Sequence, residues 1–469
     1  MWPFVLRRFE LILAFAALFA VGWPVVFGIR PRRGIAAAVL SVALIVQLRV
    51  EGFRWQMIPL YLVAVGLAIG DVIFIERKLK WPNRAARGSL GTLGIALASV
   101  LALILPVPEL PVPSGPEPIG TITVQLTDSG RDETYGERPG GPRVLMAQVW
   151  YPARVPGEEA SVPWSEDWDV VAPAMARNLG FPSWFLDQTR YTLSHAYTSS
   201  SIADGTFPVV IYSHGWTGFR TIAINQIEHL VSNGYIVIAP DHTYGAVATR
   251  LENGDVILHD PGALPSAEEV GEAAHDEAAT NLVATFAADL VTVLNELDRG
   301  ENGAFAAVAG SVDLNRIGIY GHSAGGGAAI RTCLEDERCK AVLGMDPWIE
   351  PLTERDLRVT MTRPALYMRS DEWRDTPNDA LLRGIAARGE SVTYWLGIDG
   401  AEHNDFVVTP LLSPLAARFG LKGPIPAGRV IPIIDNYLLG FFDVYLLGTG
   451  TAALDSVSFP EVSLSVISP

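Results

Sequence analysis

The sequence predicts an all-α membrane region followed by an α/β domain with a mostly parallel sheet and helices on both faces. Three observations lead to this prediction. Long apolar runs fill the first 105 residues, a Pro-rich segment follows them, and from Pro208 onward short apolar strands alternate with helical segments. This alternation is typical of parallel sheets, because a crossover between parallel strands usually contains a helix.

Length and charge indicate two or three units with different surroundings. Of the 469 residues, the first 110 hold 12 Lys and Arg against 5 Asp and Glu, whereas the rest hold 23 against 46. A basic apolar part joined to an acidic part favours a membrane anchor that carries a soluble domain. The acidic balance argues against nucleic-acid binding, which needs clustered Lys and Arg. No metal-binding motif stands out, so we expect no metal.

Four apolar runs cover about residues 9–29, 34–48, 57–75 and 90–105. A membrane-spanning helix needs roughly 20 apolar residues, with about 17 as the lower end, so the first and third runs suffice and the other two are short. A signal peptide has a single short apolar core, which four runs in series do not resemble. We therefore expect residues 1–105 to be about four retained helices that lie in a lipid bilayer.

Basic residues in the short connections predict the orientation of these helices. The connections after the first and third runs hold Arg30, Arg32, Arg33, Arg77, Lys78, Lys80, Arg84 and Arg87, whereas the opposite side holds Arg7, Arg8, Arg49 and Arg54. Because Lys and Arg concentrate in cytoplasmic loops, both ends of a four-helix region would lie outside the cytoplasm. The predicted localisation is an integral membrane protein with an extracytoplasmic domain, although Arg7 and Arg8 count against it.

The remaining chain is predicted to be a linker and one domain. Residues 106–118 carry proline at every second or third position, which favours an extended, semi-rigid spacer. Residues 119–469 then form the α/β domain. Residues 163–197 interrupt its strand pattern with an apolar, Trp-rich insertion. This insertion either caps a substrate pocket or forms a satellite core under a long loop.

The strongest signal for function is the pentapeptide Gly321-His322-Ser323-Ala324-Gly325. A β-branched and aromatic strand precedes it and a helix follows it, which is the context of a nucleophile elbow. Glycine on either side leaves room for a serine on a strained turn. We therefore predict that Ser323 is a nucleophile. The Ala324 N–H group, at the start of a helix, is a predicted oxyanion donor.

A second turn follows the first core strand and contains Gly215 and Trp216. Glycine allows a tight turn there, so the Trp216 N–H group is the second predicted oxyanion donor. Three histidines, His214, His242 and His322, also lie where core strands end. We expect these to be structural hydrogen-bonding residues and not bases.

The base and its acid follow from chain order. His403 is the histidine downstream of Ser323, and the order Ser, Asp, His is that of α/β-hydrolases, which predicts that His403 is the general base. Two aspartates end strands between them, Asp346 and Asp371, and either could orient the imidazole. The order of the strands favours Asp371.

Five segments give the sequence a family resemblance. They are 207–215, 219–221, 321–326, 345–352 and 403–406. In this order, over roughly 119–447, the chain resembles the plasma and intracellular type II platelet-activating-factor acetylhydrolases and their bacterial relatives, close to the dienelactone-hydrolase branch of the α/β-hydrolase fold. The resemblance implies a serine carboxylic ester hydrolase without cofactor, with Asp346 as the acid and Trp216 and Ala324 as oxyanion donors.

Two departures from the family leave specificity and role open. Ala324 stands where the animal enzymes have Phe, and the N-terminal helices are absent from them. The predicted function is a membrane-anchored esterase that forms an acyl-enzyme, with short or oxidised acyl chains of phospholipids among its substrates. A general carboxylesterase acting on soluble or polymeric esters is the alternative within enzymes. A non-catalytic membrane receptor or scaffold is the alternative from another class.

The two cysteines, Cys333 and Cys339, lie six residues apart at the end of the predicted elbow helix. Outside the cytoplasm they could close a small disulfide loop. The alternative is a pair of buried free thiols.

Overall fold

The computed structural model describes residues 7–27, 34–73, 81–137, 139–154, 161–198, 200–451, 454 and 458–468. The chain divides into two compact units. The first, here called the helical unit, comprises the chain up to Glu109 with Phe185–Thr192 and Leu412–Leu415, and the second, here called the sheet unit, comprises the rest. Several basic residues used to orient the helices lie outside the described residues: Arg30, Arg32, Arg33, Arg77, Lys78 and Lys80.

The helical unit is built mainly of α1 (Arg8–Phe27), α2 (Ile35–Val50), α3 (Ile58–Ile73) and α4 (Trp81–Ile104). Helix α1 contacts the other three, and α3 contacts α2 and α4. The centre of the bundle holds both alanines and leucines, among them the buried Ala17, Ala64, Ala98, Leu13 and Leu60. Large apolar residues lie on the outside: Phe15, Phe19, Leu62, Leu90 and Leu93 are 62–69% exposed. Large apolar residues on the outside of a helical bundle are typical of helices surrounded by lipid.

Polar side chains of the helical unit bind one another or free backbone groups. The Arg54 guanidinium donates to both carboxylate oxygens of Glu10, at 2.8 and 2.9 Å, and both side chains are buried. The Asp71 carboxylate accepts the N–H groups of Gly34 and Ala37, at 2.9 and 3.2 Å. Asp71 therefore satisfies N–H groups at the start of α2, which have no partner within that helix.

Two short segments from later in the chain belong to the helical unit. The Gln56 amide donates to the Gln188 side chain at 2.8 Å, and the Ser413 hydroxyl donates to the Ile104 carbonyl at 2.7 Å. Part of the insertion predicted at 163–197 is thus counted with the N-terminal helices. No periodic pattern in the sequence indicates this.

The sheet unit is organised around one ten-stranded sheet in the described part of the chain. The strands are β1 (Ile119–Asp132), β2 (Pro142–Pro152), β3 (Ala196–Thr198), β4 (Phe207–Ser213), β5 (Ile236–Asp241), β6 (Ala248–Arg250), β7 (Val256–Leu258), β8 (Val312–His322), β9 (Cys339–Met345), β10 (Ala365–Arg369), β11 (Thr393–Ile398) and β12 (Val462–Ile467). Their order is β12-β11-β10-β9-β8-β4-β5-β2-β1-β3, with β6 and β7 forming a separate hairpin. From β11 to β5 neighbouring strands are parallel.

The helices of the later chain are α5 (Trp168–Asn178), α6 (Ile224–Ser232), α7 (Ala267–Val270), α8 (Glu272–Asp298), α9 (Ala324–Glu335), α10 (Glu354–Arg358), α11 (Pro377–Ala387), α12 (Thr409–Leu412) and α13 (Ala427–Phe442). Helices α8 and α9 pack on one face of the sheet, where Phe286 and Leu290 are fully buried. Helix α13 packs on the other face. A Cβ atom at Gly318 in β8 would come within 2.4 Å of the ring of Phe442, which ends α13, so the helix lies directly against the sheet. This arrangement confirms the predicted α/β architecture.

By length and composition, four helical stretches in the described residues could cross a membrane: Arg8–Val26, Trp55–Val72, Glu272–Asp298 and Ala427–Leu447. The last two are 56% and 61% buried, against 22% for each of the first two. Since the last two lie on the faces of the sheet, we assign them to its core. The shorter apolar helices Ile35–Val50 and Gly88–Ile104 belong to the helical unit.

Candidate active site

The turn between β8 and α9 carries Ser323 in a strained conformation. Its φ of 57° and ψ of −125° are unusual for a residue with a side chain. A Cβ atom at Gly321 would lie 2.4 Å from the Gly325 carbonyl oxygen, and one at Gly325 would lie 2.2 Å from the Ser213 oxygen. Both glycines are therefore required by close backbone approach, as the nucleophile-elbow pattern predicts.

Asp346 is fully buried where β9 ends. Its carboxylate accepts the N–H group of Ser370 at 2.9 Å and the hydroxyl of the same residue, and it lies 3.2 Å from Nδ1 of His403. Asp371 lies elsewhere: it accepts the Gly400 N–H group and pairs with Arg374, and its side chain is 44% exposed. The structure therefore places Asp346, and not Asp371, against the imidazole.

Two other rings contact the His403 ring. The Trp373 indole lies parallel to it with centroids 4.4 Å apart, and the His322 ring, tilted by 37°, has its centroid 4.3 Å away. The backbone N–H group of His403 donates to the Glu372 carboxylate at 2.9 Å. Nε2 of His322 lies 2.9 Å from the His403 carbonyl oxygen, and this ring nitrogen must be the donor. These contacts fix the ring plane and direct Nδ1 to the buried carboxylate.

Backbone contacts join the serine turn to the aspartate turn. The Ser323 N–H group donates to the Met345 carbonyl at 3.1 Å, and the Trp348 N–H group donates to the Ser323 carbonyl at 2.9 Å. In the part of the chain that the structure describes, the Ser323 hydroxyl makes no hydrogen bond to His403. Such contacts are often long without substrate and shorten when substrate binds.

The two predicted oxyanion donors flank Ser323. The Ala324 N–H group lies at the start of α9, and Trp216 follows Gly215, whose Cβ position would be 3.0 Å from Ser323 Cβ. Among the described residues, neither N–H group has a hydrogen-bond acceptor. Both groups are thus free to bind a negatively charged oxygen formed at Ser323.

A second Ser-His-Asp arrangement lies behind this edge of the sheet and is fully buried. Nε2 of His242 lies 2.9 Å from the Ser213 hydroxyl, and Nδ1 of His242 lies 3.0 Å from the Asp289 carboxylate. Arg143 donates to both oxygens of Asp289, at 3.1 and 2.8 Å. Burial lowers the pKa of His242, although Asp289 opposes this shift. The surroundings of His242 agree with the structural role predicted for it.

Burial also decides the charge of the other two histidines at strand ends. It lowers the pKa of His214 to about 3. Burial and the neighbouring His403 together lower the pKa of His322 well below its usual value. Both rings are therefore neutral at neutral pH, which suits hydrogen-bonding residues and not bases that titrate during turnover.

Three residues directly after β10 that contact His403 or Asp346 were missed from the sequence: Ser370, Glu372 and Trp373. They follow β10, whose end lies at the same edge as those of β8 and β9. The signal was available, because every polar or aromatic residue directly after a parallel strand is a candidate for the site.

Cys333 and Cys339 are joined by a disulfide, with Cα atoms 5.3 Å apart, at the end of α9. The described residues contain no group of three or more His, Cys, Asp or Glu side chains that could hold a metal ion.

Comparisons with known proteins relate the chain to one enzyme family. Residues 185–256 and 287–447 match the family model of platelet-activating factor acetylhydrolase, isoform II. A guinea-pig (Cavia porcellus) platelet-activating factor acetylhydrolase is 28% identical over 51% of this chain and 58% of its own, and a bovine (Bos taurus) one is 23% identical over 51% and 57%. The chain thus spans little more than half the length of these relatives.

A fungal relative and a solved structure extend the match. A probable 1-alkyl-2-acetylglycerophosphocholine esterase of Arthroderma benhamiae is 25% identical over 79% of this chain and 98% of its own. The ferulic acid esterase of Streptomyces cinnamoneus superposes with a TM-score of 0.61 at 24% identity, covering 76% of this chain and 99% of that one, which establishes the fold. With the family match and the parallel sheet, these similarities make the chain a platelet-activating-factor-acetylhydrolase-like α/β-hydrolase, preceded by a multi-helix region.

Proposed function

We propose that this chain is a membrane-anchored serine ester hydrolase that acts through an acyl-enzyme. The observation that carries the proposal is the bond between His403 and the buried Asp346, beside a serine held at φ 57° between two free N–H groups. A hydroxyl, an imidazole and a carboxylate so arranged are the parts of a serine hydrolase. The relatives' names point to the same chemistry.

Each step of the reaction has a group in place. Ser323 attacks the ester carbonyl while His403 takes its proton at Nε2, because Nδ1 faces Asp346. The N–H groups of Trp216 and Ala324 stabilise the negative oxygen of the tetrahedral intermediate. The intermediate collapses when His403 gives the proton to the departing alcohol, which leaves an acyl-enzyme. Water, deprotonated by His403, then attacks the acyl carbonyl and releases the acid and the free serine.

Short or oxidised acyl esters, including those of phospholipids, are the proposed substrates. The fungal relative's name specifies a 2-acetyl ester of an alkylglycerophosphocholine. Within the sheet unit, the end of α5 borders the site, since the Asn178 amide donates to the Thr217 hydroxyl at 3.1 Å, beside Trp216. The aromatic residues at the start of the insertion, Trp164 and Trp168, are buried against Phe219 and act as core.

The activity is tested on the detergent-solubilised full chain. We expect turnover of p-nitrophenyl acetate and of 1-alkyl-2-acetylglycerophosphocholine, and much slower hydrolysis of a phospholipid with two long acyl chains. Ser323→Ala should lower kcat by at least about 10⁴-fold. Absence of turnover would leave a binding role for the site, whereas turnover that is unchanged in Ser323→Ala would show that Ser323 is not the nucleophile. Preference for soluble aryl esters over the phospholipid would favour a general carboxylesterase.

Anchoring by the N-terminal helices, with the sheet unit outside the cytoplasm, is a second part of the proposal. The exposed apolar faces of α1, α3 and α4 support lipid contact. The Cys333–Cys339 disulfide fits an oxidising compartment. Full-length chains fused at the C terminus to alkaline phosphatase or to green fluorescent protein, expressed in a bacterial host, should give phosphatase activity and no fluorescence. The opposite result would place the sheet unit in the cytoplasm.

A further inference from the structure

The Trp216 N–H group shares a peptide plane with the Gly215 carbonyl. In a planar trans peptide the two groups point in opposite directions, and the described residues contain no cis peptide. Whatever fixes the direction of the Gly215 carbonyl therefore also fixes the direction in which the Trp216 N–H group points.

Two donors hold this carbonyl. Nδ1 of His214 lies 2.7 Å from the Gly215 oxygen, and the Gly218 N–H group donates to the same oxygen at 2.9 Å. The second bond closes the turn 215–218. The first comes from a side chain that is fully buried, so it is not in competition with water.

The proton on His214 can be assigned from its partners. The backbone N–H group of His242 donates to Nε2 of His214 at 3.0 Å, so Nε2 is an acceptor and the proton must be on Nδ1. Because burial lowers the pKa of His214 to about 3, the ring keeps this single proton across the neutral range. Nδ1 is thus a permanent donor to the Gly215 carbonyl.

His242 is itself fixed by contacts on every side. Its Nδ1 faces Asp289, its Nε2 accepts from Ser213, and its ring stacks on Phe286 with centroids 3.9 Å apart. Since the His242 backbone determines the tautomer of His214, this buried cluster sets the geometry of the turn that follows β4.

We propose that His214 is a positioning residue that aims the Trp216 N–H group at the oxyanion by holding the Gly215–Trp216 peptide plane. His242, anchored by Asp289, holds His214 in the tautomer that this requires. The inference rests on the proposed ester hydrolysis. It assigns a part in that reaction to a buried residue outside the three proposed catalytic side chains.

Paired substitutions in the detergent-solubilised full chain test it with p-nitrophenyl acetate. His214→Asn keeps an amide N–H group near the position of Nδ1, whereas His214→Leu removes the donor. Because loss of one oxyanion donor costs about 10²–10³-fold in kcat, we expect His214→Leu to lower kcat by roughly 10–100-fold with KM within about twofold. His214→Asn should retain kcat within about fivefold of the wild type.

A second measurement distinguishes a change in the direction of the Trp216 N–H group from a general loss of structure. A trifluoromethyl ketone adds to the serine and leaves its oxygen in the oxyanion position, so its inhibition constant should rise in proportion to the loss of kcat/KM across the variants. If His214→Leu does not fold, His214→Gln takes its place, since its amide lies one carbon farther out than the Nδ1 position. His229→Leu is the matched control, because His229 is also buried but binds Ser114. It should lower the melting temperature without changing kcat.

The outcomes are distinct. Unchanged kcat in His214→Leu, or equal losses in the Asn and Leu variants, would overturn the positioning role, provided that turnover depends on Ser323. Turnover that survives in Ser323→Ala would overturn the proposed function itself.

Discussion

The molecule contains the same three residue types in two settings. Ser323, His403 and Asp346 meet at the edge of the sheet where β8, β9 and β11 end, and the His403 side chain is 19% exposed. Ser213, His242 and Asp289 meet inside the sheet unit, and none of them is exposed. In both sets the histidine has its Nδ1 directed at a carboxylate, at 3.2 and 3.0 Å.

The surroundings decide what each set can do. Ser323 is on a strained turn beside free N–H groups, whereas Ser213 lies within the extended strand β4 with its hydroxyl already bound to His242. Burial alone would raise the pKa of Asp289, but Arg143 and hydrogen bonds from His242 and Arg143 outweigh burial and hold it well below its usual value. Strain, access and free donors therefore distinguish the proposed catalytic set from the buried set, although both contain the same three side chains.

The first test changes two carboxylates near the partly exposed set of Ser323, His403 and Asp346. Asp346→Asn should lower kcat by about 10³–10⁴-fold, because the amide cannot hold the imidazole in the required tautomer or offset its charge. Asp371→Asn is the matched control. We expect it to change kcat less than about threefold, since Asp371 contacts Gly400 and Arg374. The measurement is kcat on p-nitrophenyl acetate in the full chain.

The reverse result would move the orienting carboxylate to Asp371, as the order of strands had favoured. Equal, small losses in both variants would show that His403 needs no carboxylate, and that its stacking on Trp373 suffices to orient it.

The second test concerns the buried set. Asp289→Asn removes the charge that offsets Arg143 and Arg131 and weakens the acceptor for His242. Breaking a buried ion pair costs about 3–5 kcal/mol, so the free energy of unfolding should fall by that order. Urea unfolding of the detergent-solubilised chain, followed by tryptophan fluorescence, measures it.

Asp204→Asn is the control for Asp289→Asn. Asp204 also pairs with an arginine, Arg154, but both side chains are mostly exposed, so little change is expected. If Asp289→Asn lowers the free energy of unfolding as little as Asp204→Asn does, the ion pairs of Asp289 do not stabilise the fold as their burial predicts.

Much of the fold was predictable because its central strands are buried on both faces. The observed β4, β9 and β10 begin and end within one residue of the continuous apolar runs in the sequence. The edge strand β12 was missed, because it is short, half-exposed and defined by its pairing with β11. Helix α11 was missed although it carries a signal: the Thr376 hydroxyl accepts the Asp379 N–H group and proline follows at the first helical position.

Chain order and strand ends proposed the site residues, and their catalytic roles remain predictions. Spacing alone could not choose between Asp346 and Asp371, since both follow parallel strands. The choice depends on which carboxylate lies by His403, a contact across the fold. The sequence also could not predict the buried set of Ser213, His242 and Asp289. Asp289 lies in the middle of a long helix, and in the sequence it cannot be told from a polar residue on the exposed face of that helix.

The third test concerns the pKa of a buried carboxylate, Asp435, whose named partner is an asparagine and not an arginine. Asp435 lies in α13, and its hydrogen bond from the Asn225 amide is 3.3 Å long. Burial, only partly opposed by Asn225, raises its pKa to about 8. The unfolded chain has the ordinary value of about 4, so between pH 4 and 8 the folded state holds more protons than the unfolded state. Stability must then fall as the pH rises, by up to about 1.4 kcal/mol per pH unit from this group.

Asp435→Asn removes that titration and keeps the shape of the side chain. The variant should therefore gain stability relative to the wild type as the pH rises from 5 to 8, and the gain should level off above pH 8. Urea unfolding of both chains at four pH values measures the difference, from which the other titrating groups cancel. A difference that stays constant with pH would mean that Asp435 is ionised in the folded chain, as Asp289 is, and that partners other than arginine can hold a charge inside this sheet unit.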